Sequence, residues 1–312
     1  MSLSLTVLNQ VLVMFILMLV GALCFKTKLV NEQGKHQLTS LLLYVVNPMV
    51  IVSAYDMPFD EKLANKLLLA FGLAIISHLL GMAISYLFIR KKYNEERAPI
   101  ERFSIIYTNC GFMAFPLINA LYGSEGLFYA SAYITIFNLL SWTHGFIMIS
   151  GKADKKAILK SFVSPVIIAV IFGIAIFFLR IELPSILSNS ISYLATLNTP
   201  IAMIVTGISL AQINIFSVFK SLRCYYVVFL MNIVVPLFAI AIYLFLPIDQ
   251  NLIIVNLIAT ACPCAVTTLL FSTKFNRDPE YATKLLTLAN ISCIITIPSV
   301  IFLYQFLSQL MK

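Results

Sequence analysis

Residues 108–116 read TNCGFMAFP, and residues 260–268 read TACPCAVTT. Both segments lie within long apolar stretches, and both place Gly or Pro where a membrane helix would have to continue. Gly weakens a helix and Pro removes one of its hydrogen bonds, so we predict that each helix is interrupted there. Backbone groups freed at membrane depth need protein or a water-filled cavity around them. The two segments therefore predict a buried polar site formed by two broken helices.

The composition of the chain is that of a membrane protein. Of its 312 residues, 61% are hydrophobic and 11% are charged, whereas a soluble domain carries about 25% charged residues. Disordered chains and disulfide-stapled secreted scaffolds are excluded by the same composition. Uncharged stretches of about 20 residues match the length that a helix needs to cross the hydrocarbon core. They predict an all-α fold with ten spans, numbered 1 to 10: Leu5–Phe25, Gln37–Tyr55, Leu67–Ile89, Phe103–Tyr122, Leu127–Ser150, Ser161–Leu179, Ser188–Ala211, Cys224–Leu246, Asn251–Thr273 and Leu285–Met311.

The basic residues predict the orientation of these spans. Most of the 21 Lys and Arg residues lie in loops that follow odd-numbered spans. The positive-inside rule places these loops in the cytoplasm and both termini outside the cell (plasma) membrane. The net charge of +8 is thus explained by membrane topology, and we expect no nucleic acid as a partner. Since no phosphate-binding glycine loop is present, we expect no ATP-driven pump. We also expect a transporter rather than an enzyme.

An internal repeat becomes visible when the chain is compared with itself at an offset of 152 residues. Scarce residue types then coincide: Gly21 with Gly173, Pro48 with Pro200, and Asn138 with Asn290. We infer a duplication with halves 1–155 and 156–312, each holding five spans. Because five is odd, the second half enters the membrane from the opposite side. Such an inverted repeat is typical of secondary transporters.

The interruptions in spans 4 and 9 fall at corresponding places in the two halves, which is the best sequence indication of a transport site. Two unwound segments would direct the positive N-terminal ends of two half-helices at one point. Such ends bind a carboxylate without any Lys or Arg. The alternative interpretation is a pair of tolerated kinks with no ligand. The candidate substrate-binding residues in these segments are Thr108, Asn109, Cys110, Gly111, Pro263 and Cys264.

A second pair of candidate motifs lies in spans 2 and 7. Span 2 contains Asn47-Pro48, and span 7 contains Asn198-Thr199-Pro200. Proline after Asn marks a kink or local unwinding, and an Asn amide can donate to an anion. In the alternative interpretation each Asn bonds neighbouring backbone. For Asn138 and Asn290 in spans 5 and 10, we expect hydrogen bonds between helices.

Two histidines and a cysteine motif allow further interpretations. His78 and His144 are candidate proton relays, or alternatively hydrogen-bonded interior histidines. Cys262-Pro263-Cys264 is typical of soft-metal transport sites, but such a site needs more ligands than the sequence offers, so we assign no metal and no cofactor. The spans contain no Asp or Glu, which argues against a sodium/proton antiporter. The coupling mode stays open.

The segments Asn109–Gly123 (NCGFMAFPLINALYG) and Ala261–Ile297, which includes KFNRDP at 274–279, are similar to those of the auxin efflux carrier family. The family includes bacterial organic-acid permeases and plant PIN-type exporters, and the resemblance covers essentially the whole chain. Its crossover asparagine falls on Asn109 and its helix-9 proline on Pro263. Thr108 stands where plant members have a proline, and Cys264 stands where a polar residue is usual. Both departures leave the substrate open.

The resemblance implies ten helices in two inverted repeats, with helices 4 and 9 broken and crossed. It also implies a scaffold of spans 1, 2, 6 and 7 and a mobile transport domain of spans 3–5 and 8–10. We therefore expect a secondary transporter that moves a small organic anion, such as malate, malonate or an auxin-like acid, by elevator-type alternating access. The alternatives are an ion-coupled carrier of a neutral or metalloid solute, and a membrane sensor. The lipid bilayer is an expected partner, and a homodimer stays open.

Overall fold

The chain folds into helices. The computed structural model describes residues 3–90, 95–152, 163–212 and 218–311. Within these ranges there are eleven helices and no strand. In chain order they are α1 Leu3–Lys26, α2 Glu32–Tyr55, α3 Glu61–Phe88, α4 Ala98–Ile106, α5 Cys110–Ser150, α6 Pro165–Phe178, α7 Ser185–Ala211, α8 Leu222–Tyr243, α9 Gln250–Ala261, α10 Thr267–Lys274 and α11 Pro279–Leu310.

Seven of the described helices are long and apolar enough to cross a membrane, namely α1, α2, α3, α5, α7, α8 and α11. The prediction of a multi-pass membrane protein is therefore confirmed. Helices α6 and α9 are apolar but shorter. Helix α5 has 41 residues, which is about 60 Å of helix, or twice the hydrocarbon thickness. It bends at Gly123, whose φ of +57° suits glycine. Helix α5 thus contains the end of predicted span 4 and all of span 5, and the count of ten spans stays a prediction.

Some helices begin earlier than the uncharged stretches predicted. Helix α4 begins at Ala98 rather than Phe103, and α11 begins at Pro279 rather than Leu285. At α11, Asp278 accepts a hydrogen bond from the amide of Tyr281, and proline in the first turn fits a helix start. The predicted spans were stretches without charged residues, so they left out these first helical turns, which contain charges. The predicted start of span 6 at Ser161 and the boundary between residues 155 and 156 lie outside the described residues.

Prolines within three of the long helices follow a widened π-helical turn. Proline clashes with the carbonyl four residues before it, and a π turn relieves that clash because it shifts the hydrogen-bond register by one residue. The helix then continues without a break. The π turns are Leu42–Val46 before Pro48 in α2, Cys110–Ala114 before Pro116 in α5, and Leu230–Val234 before Pro236 in α8.

Helices α1, α2, α6 and α7 form one packed group. The most extensive packing joins α1 to α7, and α2 packs along α6, so each pair combines a helix from each half of the chain. Glycines allow this close approach. A Cβ on Gly21 would overlap the backbone of Ile204, and a Cβ on Gly207 would overlap the carbonyl of Met18. Gly173 of α6 lies in the same way against the ring of Tyr55.

Candidate functional site

The two predicted interruptions are present, and they meet. Between α4 and α5 the chain leaves the helix at residues 107–109, and between α9 and α10 it does so at residues 262–266. We call these two segments the crossing. They run antiparallel, since the Asn109 amide donates to the Pro263 carbonyl at 2.7 Å and the Ala265 amide donates to the Tyr107 carbonyl at 2.9 Å. A shift of 152 residues from the first interruption ends about one helical turn before the second interruption.

Pro263 explains both the second interruption and the role of Thr108. The residue before a proline is disfavoured in helical conformation, and Cys262 is extended, with φ −64° and ψ 153°. Pro263 has no N–H to donate to the carbonyl of Ala259, four residues earlier. The hydroxyl of Thr108 donates to that carbonyl instead, at 2.7 Å. A side chain from the first broken helix thus satisfies the backbone of the second.

A cavity of about 110 Å³, which we call the crossing cavity, lies against these segments. The first residues of α5 line it, and so do the residues that lead into α10. Two helix N-termini, each with a partial positive charge, therefore border the same space. No lining residue carries a formal charge. The lining residues are Thr39, Leu43, Asn47, Thr108, Asn109, Cys110, Gly111, Phe112, Ile134, Phe137, Asn138, Val166, Ala265, Val266, Thr267 and Leu270.

One hydroxyl in this lining has no partner. Thr267 lies in the first turn of α10, and its Oγ1 is buried without a hydrogen bond among the described residues. Buried polar groups are nearly always hydrogen-bonded, so an unpaired one that borders a cavity indicates room for a polar ligand or water. Asn109 lies across the crossing and is 5% exposed. The polar side chains in the lining are threonine hydroxyls and asparagine amides, which are uncharged and can donate hydrogen bonds.

A second cavity, of about 130 Å³, includes Asn198 and Thr199 in its lining. Asn198 Nδ2 donates to Asn47 Oδ1 at 2.6 Å, and Asn47 lines the crossing cavity. The two asparagines that we expected to face a ligand or to bond neighbouring backbone are bonded to each other, and each also lines a cavity, so their role in ligand binding stays a prediction. The remaining lining residues are Val50, Ser53, Phe115, Pro116, Asn119, Ser124, Leu127, Ser192, Ala195 and Thr196.

Four candidate residues line neither cavity. Pro48 and Pro200 lie within α2 and α7, where they shape the helices. Pro263 contributes its backbone carbonyl to the crossing. Cys264 is fully buried in an apolar cluster. The sequence motif identified the crossing correctly, but only part of it borders the cavities.

The two histidines also lie outside both cavities. His78 is fully buried, and its Nδ1 lies 2.7 Å from the Ala74 carbonyl of its own helix. His144 is held between two phenols, with Nδ1 2.8 Å from the Tyr107 hydroxyl and Nε2 3.0 Å from the Tyr86 hydroxyl. Nothing in this arrangement tests the proton-relay prediction, but both residues match its alternative of hydrogen-bonded interior histidines.

Our expectation for Asn138 was wrong. Its amide donates to the carbonyl of Ile134 in its own helix at 2.7 Å, and Asn290 does the same with Leu286. An i−4 carbonyl lies within reach of any helical asparagine, so no second helix is required. Asn138 lines the crossing cavity, a role that the sequence analysis did not assign to it. Of the apolar lining residues, Phe112, Ala265, Val266 and Leu270 lie near an interruption in the sequence, whereas Leu43, Ile134, Phe137 and Val166 had no sequence signal.

The two cysteines of the CPC motif are fully buried. Cys262 and Cys264 belong to two different apolar clusters. Among the described residues there is no group of three or more His, Cys, Asp or Glu side chains that could hold a metal ion. The thiols serve as small apolar groups in the core.

Comparison with known proteins identifies related sequences in both halves. A family model described as "Membrane transport protein" matches residues 6–158 and again residues 152–301. The two matched ranges together cover most of the chain, from residue 6 to residue 301. No curated protein matched the chain.

Proposed function

Because the chain belongs to the membrane transport protein family, also known as the auxin efflux carrier family, we propose that it is a secondary transporter of a small organic anion. The carboxylate of that anion binds in the crossing cavity. The observation that carries this proposal is the pair of helix N-termini that border one cavity without any formal charge. Each terminus is equivalent to roughly +0.5 of an elementary charge and attracts an anion.

The size and lining of the crossing cavity support a small substrate. Its 110 Å³ exceed the volume of a single water site several-fold. Thr267 and Asn109 provide a hydroxyl and an amide for the carboxylate, while Phe112 and Phe137 provide apolar walls for the carbon skeleton. Small acids such as malate or malonate fit this combination, and an auxin-like acid would place its ring against the apolar walls.

The positions of the two cavities support alternating access as the mechanism of this proposal. The crossing cavity includes Thr39 and Leu270, near the end of the protein that the basic residues predict to be cytoplasmic. The second cavity includes Asn119 and Ser192, near the opposite end. In this proposal α3–α5 and α8–α11 form a transport domain that slides along a scaffold of α1, α2, α6 and α7. The backbone bonds of the crossing would keep both broken helices together during this movement.

The test is counterflow in proteoliposomes with a panel of radiolabelled mono- and dicarboxylates. Asn109→Ala should reduce uptake of the transported acid about tenfold or more, the effect of losing a hydrogen bond to a charged group. Asn189→Ala, at an exposed asparagine of α7, is the matched control and should transport normally. Uptake that Asn109→Ala leaves unchanged would remove this residue from the site. Uptake of neutral solutes but of no acid would overturn the proposal.

A further inference from the structure

A separate cavity, of about 370 Å³, lies where α3 ends, α4 begins and α5 ends. We call it the arginine cavity. It shares no lining residue with the crossing cavity. The distribution of basic residues places it at the cytoplasmic end of the helices. It is lined by Tyr86, Arg102, His144, Ile147, Met148 and Gly151.

Arg102 is a buried cation without a described counter-charge. The residue is 8% exposed, and it belongs to none of the ion pairs found among the described residues. Its Nε and Nη2 donate to the carbonyl of Ile89 at 3.0 and 2.7 Å, and its guanidinium stacks over Tyr86 at 4.2 Å. A guanidinium has five N–H groups, so these two bonds leave donors for another acceptor. A buried charge is costly unless it is paired, which points to an anion in the cavity.

A second guanidinium lies beside Gly151, one of the residues that line the arginine cavity. Arg277 Nη2 lies 3.8 Å from the position that a Cβ would take on Gly151. Like Arg102, Arg277 donates to a backbone carbonyl at a helix end, that of Ile149 at 3.1 Å, and it forms none of the described ion pairs. One guanidinium in the lining and a second beside a lining residue match the chemistry of a phosphate, which accepts forked hydrogen bonds from arginine.

The surroundings of the arginine cavity favour a phosphate that is carried by a lipid. Its walls reach the outer face of the helices, where the exposed fractions are 44% for Tyr86, 62% for Leu87 and 37% for Ile147. In a membrane protein such an apolar surface contacts acyl chains. Basic pockets between helices on the cytoplasmic side are suited to anionic headgroups. We propose that the arginine cavity binds the phosphate of an anionic phospholipid from the cytoplasmic leaflet.

The test measures lipid binding directly and needs no transport, so it is independent of the proposed transport function. The purified full chain is titrated with phosphatidylglycerol, with phosphatidylcholine and with inorganic phosphate. Retention of lipid is followed by native mass spectrometry, and the melting temperature by thermal shift. We expect saturable retention of phosphatidylglycerol and a rise in melting temperature that grows with its concentration, with little effect of phosphatidylcholine.

Three variants and one control locate the site. Arg102→Gln and Arg277→Gln should each weaken retention of phosphatidylglycerol about tenfold or more, because each removes charged hydrogen bonds. Arg102→Gln also loosens the end of α3, so Met148→Trp, which fills the cavity and leaves both arginines in place, provides the independent variant. Arg180→Gln is the control, since this arginine stacks on Phe59 far along the chain from the cavity residues. It should bind lipid like the wild type.

The outcomes separate two sources of the phosphate. Saturable binding of inorganic phosphate that Met148→Trp abolishes, without retention of phosphatidylglycerol, supports the anion site and identifies a soluble ligand as its source. Equal retention of phosphatidylglycerol by the wild type and all three variants overturns the proposal. So does the failure of the wild type to respond to either form of phosphate.

Discussion

Asn198 donates its side-chain amide to Oδ1 of Asn47, at 2.6 Å, and each of the two residues lines a different cavity. The bond joins α7 to α2 in the interior of the protein. Both side chains are almost fully buried, and Asn198 Oδ1 has no partner among the described residues. This pair therefore stands between the two spaces from which a substrate would reach the crossing.

Asn198→Ala should lower stability, because it leaves Asn47 Oδ1 buried without its donor. The expected loss is about 1–3 kcal/mol, which lowers the melting temperature by a few degrees. Asn47→Ala should cost a similar amount, and the double variant less than the sum of both, since the second substitution removes a partner that is already lost. Thermal unfolding of all three variants measures this coupling. Strictly additive losses would show that the bond contributes nothing.

Thr267→Val should weaken substrate affinity about tenfold while leaving stability nearly unchanged, since it removes a hydroxyl that has no hydrogen-bond partner among the described residues. Thr267→Ser keeps the hydroxyl and should retain the affinity. The matched control is Thr268→Val, because that hydroxyl is also buried but does not line the cavity. The Michaelis constant for uptake is the measurement. An equal effect of both valine variants would argue against the assigned position of the carboxylate.

Gly207→Ala should destabilise the protein by several degrees, because its Cβ would overlap the carbonyl of Met18 in α1. Gly21→Ala should do the same through the backbone of Ile204. In both cases α1 and α7 must move apart. Gly72→Ala in α3 is the control, since nothing lies within 4 Å of its Cβ position. That substitution should raise stability by roughly 0.5–1 kcal/mol, the difference between alanine and glycine within a helix.

Arg223→Met should be more damaging than Glu101→Gln. Glu101 is 1% exposed and accepts from Arg223 Nη2 at 2.6 Å and from the Tyr281 hydroxyl at 2.7 Å, which joins α4, α8 and α11. Without Arg223 a buried carboxylate loses its counter-charge, at a cost of about 3–5 kcal/mol. In Glu101→Gln the carboxylate charge is lost, but Arg223 still contacts water because its side chain is 41% exposed.

Thermal unfolding ranks these two variants, and Lys284→Met provides a reference. Lys284 pairs with Glu280 at 2.6 Å, but the carboxylate is 77% exposed. Such a pair contributes under about 1 kcal/mol. The expected order of stability is Lys284→Met above Glu101→Gln above Arg223→Met. A reversed order would show that the cost of burying an unpaired charge does not determine how much the Glu101–Arg223 pair contributes to stability.

The ion pair between Asp249 and Lys66 predicts that the stability of the protein depends on pH in the acidic range. The hydrogen bond from Lys66, at 2.8 Å, holds the pKa of the Asp249 carboxylate below its ordinary value. Because the folded-state pKa is lowered, the stabilisation is present above the unfolded pKa of about 4 and is lost as the pH falls through the folded value. The melting temperature of the wild type should exceed that of Asp249→Asn slightly at pH 6, and the two should converge below about pH 4. The pair is partly exposed, so the difference is small.

The sequence predicted the second interruption well because its cause is local. Pro263 has no N–H to donate and disfavours helical conformation in Cys262, the residue before it. Gly111 lies inside α5, after the first interruption at residues 107–109, so it does not account for that interruption. Helix α4 was placed too late because its first turns contain Glu101 and Arg102. Glu101 is paired with Arg223, and Arg102 donates to the carbonyl of Ile89. Such partners cannot be recognised when the sequence is searched for uncharged stretches.

The cavity lining was only partly predictable, because it depends on packing between distant segments. Asn47 and Asn198 each carried a sequence signal, but their mutual bond joins positions 151 residues apart. Thr267 is significant because its hydroxyl has no hydrogen-bond partner in the described part of the chain, which only the folded structure reveals. Val166 and Ile134 line the cavity as ordinary apolar residues, indistinguishable in the sequence from those of the core.

The two hydrogen bonds between residues 107–109 and 262–266 are made entirely of main-chain atoms. Their formation does not depend on which side chains occupy positions 108 and 264. Exchanges of these two side chains therefore leave the main-chain connection between the two broken helices in place.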